Sequence, residues 1–163
     1  MKENARPSAR AYPQTGVAST CRSYREYLDM FGLTEERLRH GPVLDAAAGA
    51  SSFVAGLRAS GVTAVAADPL YAGDPEAVIA AAWREHEEAE RKIESLADSF
   101  DWSYYGSPAR HRAMREASLR AFADDFRLPD RASRYIPASL PNLPFADGTF
   151  GLAVCSHFLF LYG

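Results

Sequence analysis

Two acidic residues follow apolar stretches of this sequence, and their spacing suits the binding of a nucleoside. Asp45 ends a stretch that begins at Val43, and Asp68 ends the stretch 62–67. Roughly 20 residues separate them, the distance at which doubly wound α/β folds place a carboxylate that holds ribose hydroxyls. Asp45 lies where a carboxylate can position a ligand's ammonium group, directly or through water. The pair therefore predicts a ligand that carries both groups.

A turn of small residues, 46–52, follows Asp45. Small side chains let the backbone approach a ligand, and a helix that begins near Ser51 or Ser52 offers free N–H groups to an anion. The same turn is also compatible with plain strand-to-helix packing. Similarly, Asp68 and Pro69 could form an ordinary strand-ending turn.

A third polar group, Cys155, Ser156 and His157, follows a later apolar stretch. We expect that stretch to lie beside the first strand, because ligands of open α/β sheets bind at the carboxyl ends of such strands. His157 is the candidate general base, although a histidine here is more often a structural donor or a pocket wall. Tyr104 and Tyr105 either close over the site or anchor their own loop.

The remaining histidines and cysteines predict no metal site, because they lack the spacing of metal ligands. His86 falls on an apolar helical face and is expected to be a packed core residue. The residues concerned are Cys21, His40, His86, His111 and Cys155.

Strands and helices alternate along the chain, which predicts an α/β fold with a Rossmann-like, doubly wound, mostly parallel sheet. Residues 1–19 are expected to be a flexible leader and residues 20–163 a single domain. A two-helix insert, about 74–127, should separate strands 2 and 3 and cap the site, since it exceeds a normal βα connection. The stretches predicted as strands are 43–45, 62–67, 134–138 and 152–155.

Composition narrows the class of protein. The chain has 163 residues, 47% of them hydrophobic, which is enough for one domain with a sizeable core. Its net charge of −3 gives no basic surface for nucleic acid, so none is predicted as a partner. Two cysteines, no secretory signal and no apolar run long enough for a bilayer predict a cytoplasmic protein without a membrane partner.

Several segments together resemble the class I S-adenosylmethionine-dependent methyltransferases. Residues 43–51 resemble the family's motif I, usually Leu-Asp-x-Gly-x-Gly-x-Gly, and Asp68 matches its ribose-binding acid. Residues 139–140 match the pair that flanks the adenine, and 143–150 resemble the run Leu-Pro-Phe-x-Asp-x-x-Phe-Asp before strand 4. A nicotinamide dinucleotide site is disfavoured, because the carboxylate of Asp45 would repel a pyrophosphate.

The resemblance implies S-adenosyl-L-methionine as cofactor and methyl transfer to a small-molecule acceptor by direct displacement. No catalytic residue is needed beyond those that align the reactants, unless the acceptor must lose a proton early. The residues it assigns to the cofactor site are Asp45, Ala46, Ala47, Gly49, Ser51, Asp68, Pro69, Ser139, Leu140, Cys155 and Ser156.

The chain also departs from the family pattern. Ala47 and Ser51 stand where two of the three glycines are usual, so close approach is expected to survive but a strongly positive φ is not. Ser139 and Gly151 each replace a usual aspartate.

The family fold continues beyond strand 4, so we expect this chain to be truncated at its C-terminal side. The edge of strand 4 and the apolar residues 158–162 would then be uncovered, which predicts aggregation, poor donor binding or a homo-oligomer through that edge. The alternative function is a truncated or degenerate methyltransferase-like protein that binds or scaffolds without catalysis.

Overall fold

The computed structural model describes residues 20–156. Its centre is a four-stranded sheet in which every pair of neighbouring strands is parallel. The strands are β1 (Val43–Ala46), β2 (Ala64–Ala67), β3 (Tyr135–Ile136) and β4 (Leu152–Val154). The predicted leader 1–19, the candidate base His157 and the apolar residues 158–162 lie outside the described residues.

The strand order is β3-β2-β1-β4. The chain adds β2 and β3 on one side of β1 and then places β4 on the other side. Val43 pairs with Ala64 on one side and with Leu152 on the other. This arrangement confirms the predicted α/β fold with a Rossmann-like parallel sheet. It also places the carboxyl ends of β1, β2 and β4 together, which is where open α/β sheets bind ligands.

Side-chain caps open the two long helices. Asp74 accepts a hydrogen bond from the Ala77 N–H before α4, and Ser107 accepts one from the Arg110 N–H before α5. A short 3₁₀ helix at Ala97–Ser99 follows α4. The α-helices are α1 (Tyr24–Phe31), α2 (Glu35–Leu38), α3 (Phe53–Ala59), α4 (Pro75–Ser95) and α5 (Pro108–Phe126).

One face of the sheet forms the main core with all five helices. The helices contribute Tyr27, Leu38, Phe53, Ile79 and Phe122, among others, to the same buried cluster as Val43, Ala66 and Tyr135 of the strands. Phe122 and Phe126 of α5 stack with ring centroids 5.1 Å apart, and both meet Tyr135 edge-on. α4 and α5 are therefore part of the core, and their role as a cap over the site stays a prediction.

The opposite face of the sheet is covered by loops. Because side chains alternate along a strand, Leu44, Ala46 and Ala67 point away from the main core. Leu140, Leu143, Phe145 and Phe150 from the segment between β3 and β4 pack against them. Within residues 20–156, this second cluster is built from strand and loop residues alone. None of the helices in this range combines the length and apolar composition of a membrane span.

Candidate functional site

The turn after β1 and the carboxylate after β2 are in direct contact. The Gly49 N–H donates a hydrogen bond to Asp68 Oδ2 at 3.0 Å, and the Leu70 N–H donates to Asp68 Oδ1 at 2.9 Å. Both groups lie at the carboxyl edge of the sheet, because β1 and β2 are parallel neighbours. The structure thus brings the turn after Asp45 against the carboxylate of Asp68.

Ala47 adopts a left-handed backbone conformation with φ of 55°, and Gly49 follows at 56°. This corrects the expectation that alanine at this position would exclude a positive φ. The N–H groups of Ala47 and Ala48 both point to the Ala67 carbonyl, at 2.8 and 3.4 Å, and fix the turn against the end of β2. These bonds offset a conformational cost of about 1–2 kcal/mol.

Five amides of residues 47–52 already have protein acceptors, whereas the free N–H groups expected at the start of the helix belong to α3, which begins at Phe53. Besides those of residues 47–49, the Ser51 N–H donates to the Ala48 carbonyl at 3.3 Å. The Ser52 N–H donates to the Arg22 carbonyl at 3.0 Å. The turn is therefore internally held, and a ligand would meet its edges and side chains.

Asp45 is completely buried, with 0% of its surface exposed. The Tyr27 hydroxyl donates to Oδ1 at 3.3 Å and the Ser51 hydroxyl donates to Oδ2 at 3.1 Å. Burial raises the pKa of Asp45 to about 7, although the two hydroxyl donors lower it, and the charge of Asp68 raises it further. An ammonium group could reach this carboxylate only through a rearrangement or through the hydroxyls that bond it.

Two tyrosines hold the site and were not identified from the sequence as site residues. Tyr27 is a buried residue of the amphipathic helix α1, and its hydroxyl contacts Asp45. Tyr71 lies in a short 3₁₀ helix, Pro69–Ala72, and its hydroxyl donates to the Gly49 carbonyl at 2.7 Å. The available signal for Tyr71 was its position just after Asp68.

An apolar cavity of about 540 Å³ lies along β4 and the second face of the sheet. Three residues assigned to the cofactor site, Ala46, Leu140 and Cys155, line it, with Leu44, Leu143 and β4. Arg37 is the charged residue of its wall. The volume falls within the range of small-molecule sites.

The other assigned residues take less central places. Pro69 and Ser139 are exposed, whereas Ser156 is buried near the Tyr27 hydroxyl, whose pKa it lowers. The Asn142 N–H donates to the Ser139 carbonyl at 3.0 Å.

The aromatic loop at Tyr104 and Tyr105 is anchored to α1. The Tyr104 hydroxyl donates to Asp29 Oδ2 and the Tyr105 hydroxyl donates to Glu26 Oε1, each at 2.7 Å. These bonds favour the loop-anchor interpretation over closure on a ligand.

His86, as expected, is a buried helical residue. It packs with Glu90 and His111 between α4 and α5. In the described part of the chain, no three His, Cys, Asp or Glu side chains are arranged to hold a metal ion.

Comparison with known proteins gives one informative similarity. No family model matches the chain, and no solved structure matches it. The chain is 28% identical over 142 residues to the uncharacterized protein MJ0045 of Methanocaldococcus jannaschii. The aligned region covers 86% of this chain and 63% of that protein, so the chain spans less than two thirds of its relative's length.

Proposed function

We propose that this chain binds S-adenosyl-L-methionine and forms the cofactor-binding part of a methyltransferase that acts on a small-molecule acceptor. The observation that carries the proposal is the contact between the Gly49 amide and the Asp68 carboxylate, 3.0 Å apart at the carboxyl ends of β1 and β2. A parallel sheet of order β3-β2-β1-β4 supports it, because the first strand then lies at the position where ligands of such sheets bind.

The residues at this edge suit the chemical groups of that cofactor. Each Asp68 oxygen accepts one backbone N–H and keeps a lone pair for a ribose hydroxyl. Leu140 and Cys155 also line the apolar cavity on the second face of the sheet, whose lining includes Ala46 but neither Gly49 nor Asp68, and in this proposal a flat base lies against them. Asp45 supplies negative charge, which acts on the ammonium end through the hydroxyls of Ser51 and Tyr27 that bond it. The cofactor would supply a methyl group activated by its sulfonium charge, and the chain would bind and align it.

A non-catalytic binding or scaffold function is the alternative, and two observations favour it. The amides of residues 47–49, 51 and 52 are used inside the protein, and Asp45 is fully buried. A degenerate site would retain the fold in this closed form and bind the cofactor weakly or not at all.

Isothermal titration calorimetry with S-adenosylhomocysteine tests the proposal. We expect micromolar binding, and little heat with NAD, because the Asp45 carboxylate opposes a pyrophosphate. Absence of binding by protein that unfolds cooperatively would refute the proposal. Binding without methyl transfer to any of a panel of phenol, amine, thiol and carboxylate acceptors would favour the non-catalytic alternative.

A further inference from the structure

The Tyr27 side chain is fixed in one orientation inside the main core. Its ring stacks on Phe53 with centroids 4.3 Å apart and planes 14° apart, and it meets Phe31 at 5.7 Å. Only 1% of its surface is exposed. Because Phe31 and Phe53 restrain the ring, rotation of the hydroxyl proton is the main motion left to the side chain. The direction of the phenol oxygen is therefore set by α1 and α3.

That hydroxyl lies at the junction of two strand ends. It donates to Asp45 Oδ1 at 3.3 Å, and the hydroxyls of Ser51, in the turn after β1, and Ser156, after β4, lie near enough to lower its pKa. An ionised carboxylate can only accept hydrogen bonds, so the phenol proton is directed to Asp45. Tyr27 thus contacts one residue that the sequence assigns to the cofactor site, Asp45, and lies near two others.

We infer that Tyr27 is a positioning residue of the proposed site: its hydroxyl holds the Asp45 carboxylate in the orientation and charge state that a ligand's ammonium group requires. The inference rests on the proposed function, and it adds a residue from outside the motifs of the strand ends. α1 thereby becomes part of the binding site, although its residues resemble an ordinary amphipathic helix.

The groups that face Asp45 determine whether removal of the Tyr27 hydroxyl raises or lowers the pKa of Asp45. Tyr27 and Ser51 donate to it and favour its ionised form, whereas burial and the charge of Asp68 oppose ionisation. Among residues 20–156, Tyr71 is a further titratable neighbour. The pKa values of Tyr27 and Tyr71 are raised well above the ordinary value, mainly by burial, so both phenols stay neutral near pH 7.

Tyr27→Phe tests the inference, because it removes the hydroxyl and keeps the stacked ring. We expect the ¹³C carboxyl signal of Asp45 in the unliganded protein to titrate about one pH unit higher than in the wild type. Affinity for S-adenosylhomocysteine at pH 7 should fall about tenfold. The affinity should increase with pH as Asp45 ionises, and in Tyr27→Phe this increase should occur about one pH unit higher than in the wild type. Tyr24→Phe is the matched control, because the Tyr24 ring also stacks on Phe53, at 5.9 Å.

The outcomes separate the two proposals. If wild-type protein binds the ligand and Tyr27→Phe matches it in affinity and in Asp45 titration, the positioning role is refuted and the proposed function stands. If Tyr24→Phe has the same effect as Tyr27→Phe, the cause is ring packing and the inference also falls. If the wild type binds no ligand between pH 6 and 9, the proposed function fails, and the role of Tyr27 in cofactor binding fails with it.

Discussion

Asp68→Ala removes one acceptor for two backbone amides and, in our proposal, the acceptor for the ribose hydroxyls. The two bonds, from Gly49 at 3.0 Å and Leu70 at 2.9 Å, contribute about 1 kcal/mol each, so the free energy of unfolding should fall by about 2 kcal/mol. In a domain of this size, that corresponds to a melting temperature lower by about 6 °C. Loss of a charged hydrogen-bond acceptor should weaken S-adenosylhomocysteine binding about 30-fold.

Calorimetric titration and thermal unfolding of the same samples separate binding from stability. Asp74→Ala is the matched control, because Asp74 also accepts a backbone N–H as a cap but lies at the exposed start of α4. It should lower the free energy of unfolding by about 1 kcal/mol, for the one bond it loses, and leave the affinity unchanged. Equal losses of affinity in the two variants, or an unchanged affinity in Asp68→Ala, would refute the assignment of Asp68 to the ribose.

Three further predictions concern stability. Burial raises the Asp45 pKa to about 7, above its value in the unfolded chain, so the stability that the buried acid contributes at low pH is lost as pH rises through about 7. The loss in the free energy of unfolding is at most about 4 kcal/mol. Urea titrations from pH 4 to 8 should show a flatter pH dependence for Asp45→Asn than for the wild type. The same pH dependence in both proteins would contradict the reasoning. Gly56→Ala should cost about 2 kcal/mol, because its Cβ would lie 2.5 Å from Tyr24 Cγ; an unchanged melting temperature would show that α1 yields freely. Arg115→Met should cost about 2–3 kcal/mol, because the buried Glu26 loses its closest ion pair and keeps the one with Arg22, at 3.6 Å; the double variant with Glu26→Gln should recover part of that loss.

Local chemistry explains the part of the fold that could be predicted from sequence. Asp74 and Ser107 cap the long helices because their side chains need only the next turn of backbone. The parallel pairing of β1 and β2 follows from the helix that connects them, because a strand–helix–strand crossover brings the chain back in the same direction. Contacts within about 25 residues are what periodicity and capping rules describe.

The details of the site depend on tertiary contacts that no local rule contains. Alanine disfavours a positive φ, yet the Ala67 carbonyl fixes Ala47 there by accepting two amides. The helical period marks Tyr27 as apolar, and only the approach of α1 to β1 turns its hydroxyl toward Asp45. The depth of Asp45, and with it the raised pKa, follows from the packing around the strand end.

The packing of α4 and α5 changes where acceptor contacts are to be sought. Phe122 and Phe126 are fully buried against the sheet, and truncation of a buried phenylalanine costs about 3–5 kcal/mol. Loss of both would consume most of the 5–15 kcal/mol that stabilises a typical domain, so deleting 74–127 would unfold the chain before it reported on the acceptor. The segment between β3 and β4 has no such constraint on the main core. Its Leu143 lines the cavity, so a substitution there can probe an acceptor while the helical core stays intact.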